Sequence, residues 1–169
     1  GVDALNAALQ AKLNPSGVHI AEQTLGGRVF RKNDKVMQTR NDYNKDFYNG
    51  DIGIVYAIDT IEEVIQVDMN GRVQNYSYRD AEENLIHAYC ISTHRSQGSE
   101  YPVVVMPIMM SHWIMLQRNL LYTGITRAKK LVVLVGERRA IKIAVDNNKV
   151  ADRFSGLRAR LRGIPRMLI

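Results

Sequence analysis

Two polar segments of this chain carry residue types suited to holding phosphate. The first, Ser92-Thr93-His94-Arg95-Ser96-Gln97-Gly98-Ser99-Glu100, follows the apolar stretch Ala88-Tyr89-Cys90-Ile91. In open α/β sheets, ligands collect beyond the carboxyl ends of strands. Small hydroxyls, a glycine and accessible backbone amides placed there can hold phosphates of a nucleotide or of DNA. The same residues serve equally well as a solvated loop, with Ser96 to Ser99 capping a helix. The second segment runs from Arg118 to Lys130 and sets Arg127, Lys129 and Lys130 just before the apolar run at Leu131. Lys129 and Lys130 read as cations solvating a strand entrance. Arg127 follows threonines and a glycine in a tight polar segment. A planar guanidinium there can clamp a γ-phosphate as charge builds during phosphoryl transfer.

Other chemistries find less support. His19, His87, His94 and His112 are too scattered for a zinc site, and neither a cysteine pair nor an HExxH spacing occurs. The lone cysteine, Cys90, reads as an inert thiol in an apolar stretch and excludes an internal disulfide. Glu137, at the end of the run Leu131 to Val135, superficially resembles a magnesium ligand at a strand end. The sequence holds no GxxxxGK[ST] phosphate loop to accompany it, so Glu137 is set aside and no metal ligand is assigned.

The elements that must position these segments follow from periodicity. Val2, Leu5, Leu9 and Leu13 recur at helical spacing, and the helix stops at Asn14-Pro15-Ser16-Gly17. From about Val29 to Tyr78 the period shortens. Ile52, Ile54, Tyr56 and Ile58 alternate with Gly53, Val55 and Ala57, and Asn70-Gly71 separates two further strand-like runs, a hairpin signal. This stretch predicts a small antiparallel β unit. Leu85 to Ile91, Val103 to Met106 and Leu131 to Val135 predict strands. The last two are continuous apolar runs of the kind buried on both faces of a parallel sheet. Trp113, Leu116, Leu120 and Leu121 form a helical stripe read as core, and helices are predicted over 140–145 and 151–161. The fold class is therefore α/β, a parallel sheet flanked by helices with an antiparallel β insert. Residues 1–34 and 85–169 are assigned to the α/β layer and 35–84 to the insert.

The 169 residues are 46% hydrophobic and 24% charged, enough for a folded domain. The net charge of +6, from 23 basic and 17 acidic residues, suits an anionic partner such as nucleic acid. No apolar run reaches the length of a membrane span and no signal-peptide pattern opens the chain, so a cytoplasmic location and no membrane partner are expected. The first residue is glycine, and the chain is expected to be a piece of a longer protein.

Taken together, the two polar segments bear a specific resemblance. Thr93 to Tyr101 resembles motif V of superfamily 1 DNA helicases in the wording of the RecD-like branch, the exodeoxyribonuclease V alpha-subunit family. RNLLYTGITRAKK (118–130) resembles motif VI of the same branch. GVDALNAALQAKLNP and DKVMQTRNDYNKDFYNGDIGIV resemble the entry to the second RecA-like motor lobe and its inserted Src-homology-3-like barrel. The resemblance implies an ATP-dependent 5′-to-3′ helicase acting in DNA recombination and repair. It implies Arg127 as the catalytic arginine finger, and Gln97, Gly98 and Glu100 beside the nucleotide, with Glu100 at the ribose. It implies Thr93, His94 and Ser96 on single-stranded DNA. Arg95 stands where lysine is more usual. ATP and Mg2+ would be bound mainly by the first RecA-like lobe of the same parent chain, and nuclease-complex subunits are possible further partners. The isolated chain, without a phosphate loop, is expected to be inactive. The rival readings are the motor portion of a conjugative relaxase and a non-catalytic module that binds single-stranded nucleic acid.

Overall fold

The computed structural model describes residues 1–42 and 46–148, which fall into two compact units, Gly1–Ser99 and a second beginning at Glu100. The first unit opens with helix α1 (Val2–Leu13), where the spacing predicts it. A helix of this pattern ordinarily turns its apolar stripe inward. Here Asn6 and Gln10 are buried instead, with Asn14 just beyond the last turn, while Leu13 is 66% exposed.

The reversal is caused by a carboxylate. Asp34 lies in the turn after β2 (Arg28–Arg31) and is fully buried. Its Oδ1 accepts from Asn14 Nδ2 at 2.7 Å and from the Tyr89 hydroxyl at 2.8 Å. Its Oδ2 accepts from Gln10 Nε2 at 2.6 Å and the Arg31 backbone N–H at 2.7 Å, with His87 Nε2 at 3.2 Å. A buried charge without such donors is strongly unfavourable. Burial pushes the Asp34 carboxyl up, but the bonds from His87, Asn14, Tyr89 and Arg31 outweigh it and hold the group below its ordinary value. Burial, with the bond to this carboxylate, pushes the Tyr89 hydroxyl up to about 12. The buried helix face is polar because its surroundings are ionic.

Around this centre a small antiparallel barrel forms. β1 (Glu22–Leu25) and β2 make one hairpin. β3 (Lys35–Gln38), β4 (Ile52–Asp59), β5 (Val64–Met69), β6 (Arg72–Ser77) and β7 (Leu85–His87) form a sheet in the order β6-β5-β4-β3-β7. Asn70 and Gly71 sit at the β5–β6 tip with φ of 56° and 84°, the positive pair a type I′ turn demands. The alternation along β4 is real, with Gly53 and Val55 inward and Ile54 and Tyr56 exposed. Position 53 needs glycine, since a Cβ there would lie 2.6 Å from Val67 Cγ1. A register shift between Val55 and Ala57 then lets Ile58 pack on the core of Phe30, Val36, Val55, Ile65 and Val67.

Three parts of this unit differ from the sequence reading. The strand expected over 85–91 ends at His87, and it pairs antiparallel with β3 rather than entering a parallel layer. His87 must reach Asp34, and the Ala88 N–H donates to Lys35 O at 2.8 Å, so this segment is committed to the barrel. The compact unit also extends past the expected 35–84 insert, taking Leu25 and Phe30 into the barrel core. Finally, α2 (Tyr78–Asn84) fills the stretch between the β unit and Leu85 to which the sequence reading assigned no element; Ser77 Oγ accepts from the Asp80 N–H at 3.1 Å and caps it.

In the second unit, β8 (Tyr101–Ile108) and β9 (Ala128–Gly136) pair in parallel. A 3-10 helix (Met110–Met115) and α3 (Arg118–Ile125) connect them, and α4 (Arg138–Asp146) follows. Ile108, Leu116, Leu121, Ala140 and Ala144 form the core on one side of the strands. Burial on both faces was expected, yet among the described residues Val105 and Leu131 stay 63% and 53% exposed. Trp113, read as core, is 67% exposed. The 3-10 pitch and the break at Leu116-Gln117 end the stripe before it reaches α3, so only Leu116 and Leu121 are buried. The helix expected over 151–161 lies outside the described residues. No described helix is long and apolar enough to cross a membrane.

The Asp34 centre sets a measurable expectation. Asp34→Asn puts an amide donor against the Asn14, Gln10 and Arg31 donors, and should cost about 3–5 kcal/mol in urea unfolding near pH 7. Because the folded pKa is depressed, the contribution is complete above the unfolded carboxyl value and fades as pH falls through the folded one. The difference between wild type and Asp34→Asn should therefore shrink in strong acid. A difference that is constant from pH 7 to pH 2 would refute this account.

Candidate nucleotide and nucleic-acid interface

The loop after β7 is shaped from both sides. Upstream, the Asn6 side chain grips the backbone of Cys90: its Nδ2 donates to Cys90 O and its Oδ1 accepts from Cys90 N–H, both at 2.8 Å. One side-chain amide thus does for Cys90 what a neighbouring strand would do. Burial pushes the half-buried Cys90 thiol up, which favours the unreactive neutral form. Beyond it the chain turns tightly. The Ser96 N–H donates to Ser92 O at 3.1 Å, and the Ser99 N–H donates to Ser96 O at 3.1 Å. Gly98 takes a φ of 83°.

The residues singled out in this loop do not all face the same way. Ser96 is buried, and its hydroxyl donates to Thr93 O at 2.7 Å, so it closes the loop from within. Thr93 is half-buried, whereas His94, Arg95 and Gln97 are exposed. His94, Arg95, Gln97 and Gly98 line one side of a cleft of about 500 Å³.

In the second unit the structure brings together Glu100 and Arg127. The Tyr101 N–H donates to Arg127 O at 2.8 Å, joining the two segments where β8 and β9 begin. The site is thus at the amino ends of this strand pair, not the carboxyl ends that the general rule for parallel sheets suggested. Arg127 is half-buried, its backbone N–H donates to Gly124 O at 3.3 Å, and its Nη2 lies 3.4 Å from Thr126 Oγ1. Lys129, dismissed from sequence as a solvating cation, bonds Glu100 through Nζ to Oε2 at 3.0 Å. That hydrogen bond, with the nearby Arg127 charge, holds the Glu100 carboxyl below its ordinary value. The pair is exposed and its partners are exchangeable at little energetic cost.

These groups fit an anionic ligand better than a cation. Glu137 Oε1 accepts from the Met110 N–H at 3.0 Å, a structural role at the end of β9. Among the described residues, no three His, Cys, Asp or Glu side chains are gathered closely enough to hold a metal ion. The residues that sequence reasoning missed are Asn6, Gln10, Asn14, Asp34 and Tyr89, which hold the loop's base, and Lys129. A polar ladder at i, i+4, i+8 on α1 was the available signal.

Two family models match the chain: the ATP-dependent RecD-like DNA helicase SH3 domain over residues 5–69, and the UvrD-like helicase C-terminal domain over residues 87–135. The ATP-dependent RecD2 DNA helicase of Deinococcus radiodurans is 38% identical over 164 residues, 96% of this chain and 22% of that protein. The RecBCD enzyme subunit RecD of Mycobacterium tuberculosis is 36% identical over 126 residues, 75% of this chain and 21% of that one. The chain thus spans about a fifth of the length of these relatives. Among solved structures, the Pif1 helicase from Bacteroides in complex with ADP-AlF3 and single-stranded DNA superposes with a TM-score of 0.59, covering 96% of this chain and 42% of that one. At 22% identity this is a likeness of fold.

The Asn6 clamp can be tested directly. Asn6→Ala strands the Cys90 N–H and carbonyl, and should cost about 1–3 kcal/mol. Amide hydrogen exchange over residues 90–99 should quicken more than exchange in β4 and β5. Uniform quickening across the unit would show that Asn6 supports the fold generally and not this loop.

Proposed function

Because the chain belongs to the RecD-like branch of the superfamily 1 DNA helicases, we propose that it is the second motor lobe, with its inserted barrel, of an ATP-dependent 5′-to-3′ helicase acting in DNA recombination and repair. The observation that carries this reading is the meeting of Glu100 and Arg127 at one end of the parallel strand pair, two motif residues drawn from segments on either side of a strand and two helices. A guanidinium held there by a short helix and a strand start is half-exposed and pre-positioned for phosphate. Bound ATP supplies the free energy of phosphoryl transfer. Arg127 is the arginine finger, Gln97, Gly98 and Glu100 take the nucleotide, and Thr93, His94 and Ser96 serve single-stranded DNA. Ser96 acts through the loop it closes, since its hydroxyl is turned inward. The first RecA-like lobe of the parent chain supplies the phosphate loop and the magnesium site, in the cytoplasm. Subunits of a nuclease complex are further candidate partners, because relatives carry the name of a RecBCD subunit.

In the parent enzyme, Arg127→Ala should lower DNA-stimulated ATP turnover by about 10³–10⁵ while leaving single-strand affinity nearly unchanged. Arg127→Lys should recover little, because an ammonium lacks the planar fork. The 169-residue chain alone should show no turnover. Near-normal turnover by Arg127→Ala, or a proportional loss of DNA binding, would move the finger role to another residue.

A further inference from the structure

Lys129 reads from sequence as a cation that solvates a strand entrance, but the strand ladder gives it a more specific place. Tyr101 pairs with Ala128 and Val103 with Leu131, so one residue of β8, Pro102, stands opposite two of β9, Lys129 and Lys130. Pro102 has no N–H to give the ladder. An extra residue on one strand bends it and re-aims the side chains at that point. The bulge falls where Glu100 leads into β8, and Lys129 reaches that carboxylate, with Nζ 3.0 Å from Oε2. Among the described residues no donor lies on Glu100 Oε1, and both side chains are more than half exposed.

We propose that Lys129 is a positioning residue of the nucleotide site, holding Glu100 by one carboxylate oxygen and leaving the other to accept a ribose hydroxyl, so that the site prefers a ribonucleotide to its deoxy analogues. The proposal rests on the reading that Glu100 takes the nucleotide, and adds the group that orients it and the sugar it selects. Stability is not what the pair supplies, since an exposed ion pair contributes little. Ionisation is not its contribution either. A solvated glutamate titrates at about 4.3, so the carboxyl is charged at neutral pH with or without Lys129. What the lysine gives is direction. Two cations act on Glu100, first Lys129 through its hydrogen bond and then Arg127 through its charge. With Lys129 removed, the carboxylate turns toward Arg127 or into solvent, and its second oxygen loses a fixed place. An ionised carboxylate only accepts, so its ligand must donate. The phosphates of ATP repel it, whereas the sugar brings two hydroxyl donors. The adenine amino group also donates, and deoxy analogues separate it from the sugar.

The experiment compares DNA-stimulated hydrolysis of ATP, 2′-deoxy-ATP and 3′-deoxy-ATP by the parent enzyme. The variants are Lys129→Ala, Lys129→Arg, Glu100→Gln, the Lys129→Ala/Glu100→Gln pair and, as a control for lost charge, Lys130→Ala. Lys130 is exposed and makes no ion pair among the described residues. Wild type should prefer ATP to at least one deoxy analogue by about tenfold in kcat/KM, the scale of a hydrogen bond to a charged acceptor. Lys129→Ala should cut that preference by about two- to fivefold, the range of an exposed pair, and act on KM more than on kcat. Lys129→Arg should restore it, and Lys130→Ala should leave it in place. Glu100→Gln should remove the preference, and adding Lys129→Ala to it should change nothing further, because the lysine acts through the carboxylate. An equal loss with ATP and both analogues in Lys129→Ala would make the lysine a phosphate contact and overturn the proposal. So would an unchanged preference, an equal effect of Lys130→Ala, or a further loss of preference in the Glu100→Gln background. Each of these leaves the reading of Glu100 intact. Full preference retained by Glu100→Gln, or none in wild type, would take the sugar away from Glu100 and overturn both.

Discussion

The Asp34 carboxylate takes its donors from the end of α1, from the turn that carries it, from β7 and from the segment that leads into the motif V loop. Each donor fixes a different part of the chain. Gln10 and Asn14 lay the helix down, His87 ends the last barrel strand, and Tyr89 sets where the loop begins. A charge withdrawn from water is tolerated only when most of its acceptor positions are filled, so these contacts stand or fall as a set. Gln10 extends the arrangement outward, since its amide also donates to Val29 O at 2.7 Å. The loop after β7 is therefore anchored to a carboxylate fully withdrawn from water.

The two units hold their exposed polar side chains on different footings. In the first, the cleft beside the loop after β7 carries His94, Arg95 and Gln97 with exposed side chains. In the second, Arg127 is half-buried and tied by its backbone to α3 and β8. The first arrangement suits a ligand that slides or is exchanged, because exposed side chains can re-form contacts at low cost. The second suits a group whose position matters to a transition state, where ordering has been completed before the ligand arrives.

How much of this was legible in the sequence depends on the range of the interaction. The Asn70-Gly71 turn and the alternation along β4 are local, and both could be read without knowing any partner. Of the motif residues, the structure joins Glu100 and Arg127 as one neighbourhood and turns the Ser96 hydroxyl inward. The pairing of β7 with β3 was not legible, because 85–91 is as apolar as a parallel strand and its true partner lies about fifty residues upstream. The polar face of α1 was missed for a related reason. Periodicity counts apolar residues, and Val2, Leu5, Leu9 and Leu13 spell a stripe regardless of which side is buried. Only remote partners, Asp34 for Gln10 and Asn14 and the Cys90 backbone for Asn6, decide that these three go inward. Trp113 failed differently: its spacing to Leu121 presumes one α-helix, where the chain makes a 3-10 turn, breaks and starts again.

The carboxylate cluster also bears on how such a unit can change over generations. An apolar core drifts by small compensated steps, since one aliphatic side chain can stand in for another of similar volume. A buried ion with several donors has no such neighbours in sequence space. Losing Asp34 strands its donors, and losing one donor leaves an ion short of a partner, so most single replacements lead downhill. Such a cluster is inherited whole or lost whole. Its imprint is two amides four residues apart, Gln10 and Asn14, followed twenty residues later by an aspartate, then by a histidine and a tyrosine two apart. That imprint should outlast the hydrophobic pattern as lineages diverge, and it would mark this unit where overall identity has faded.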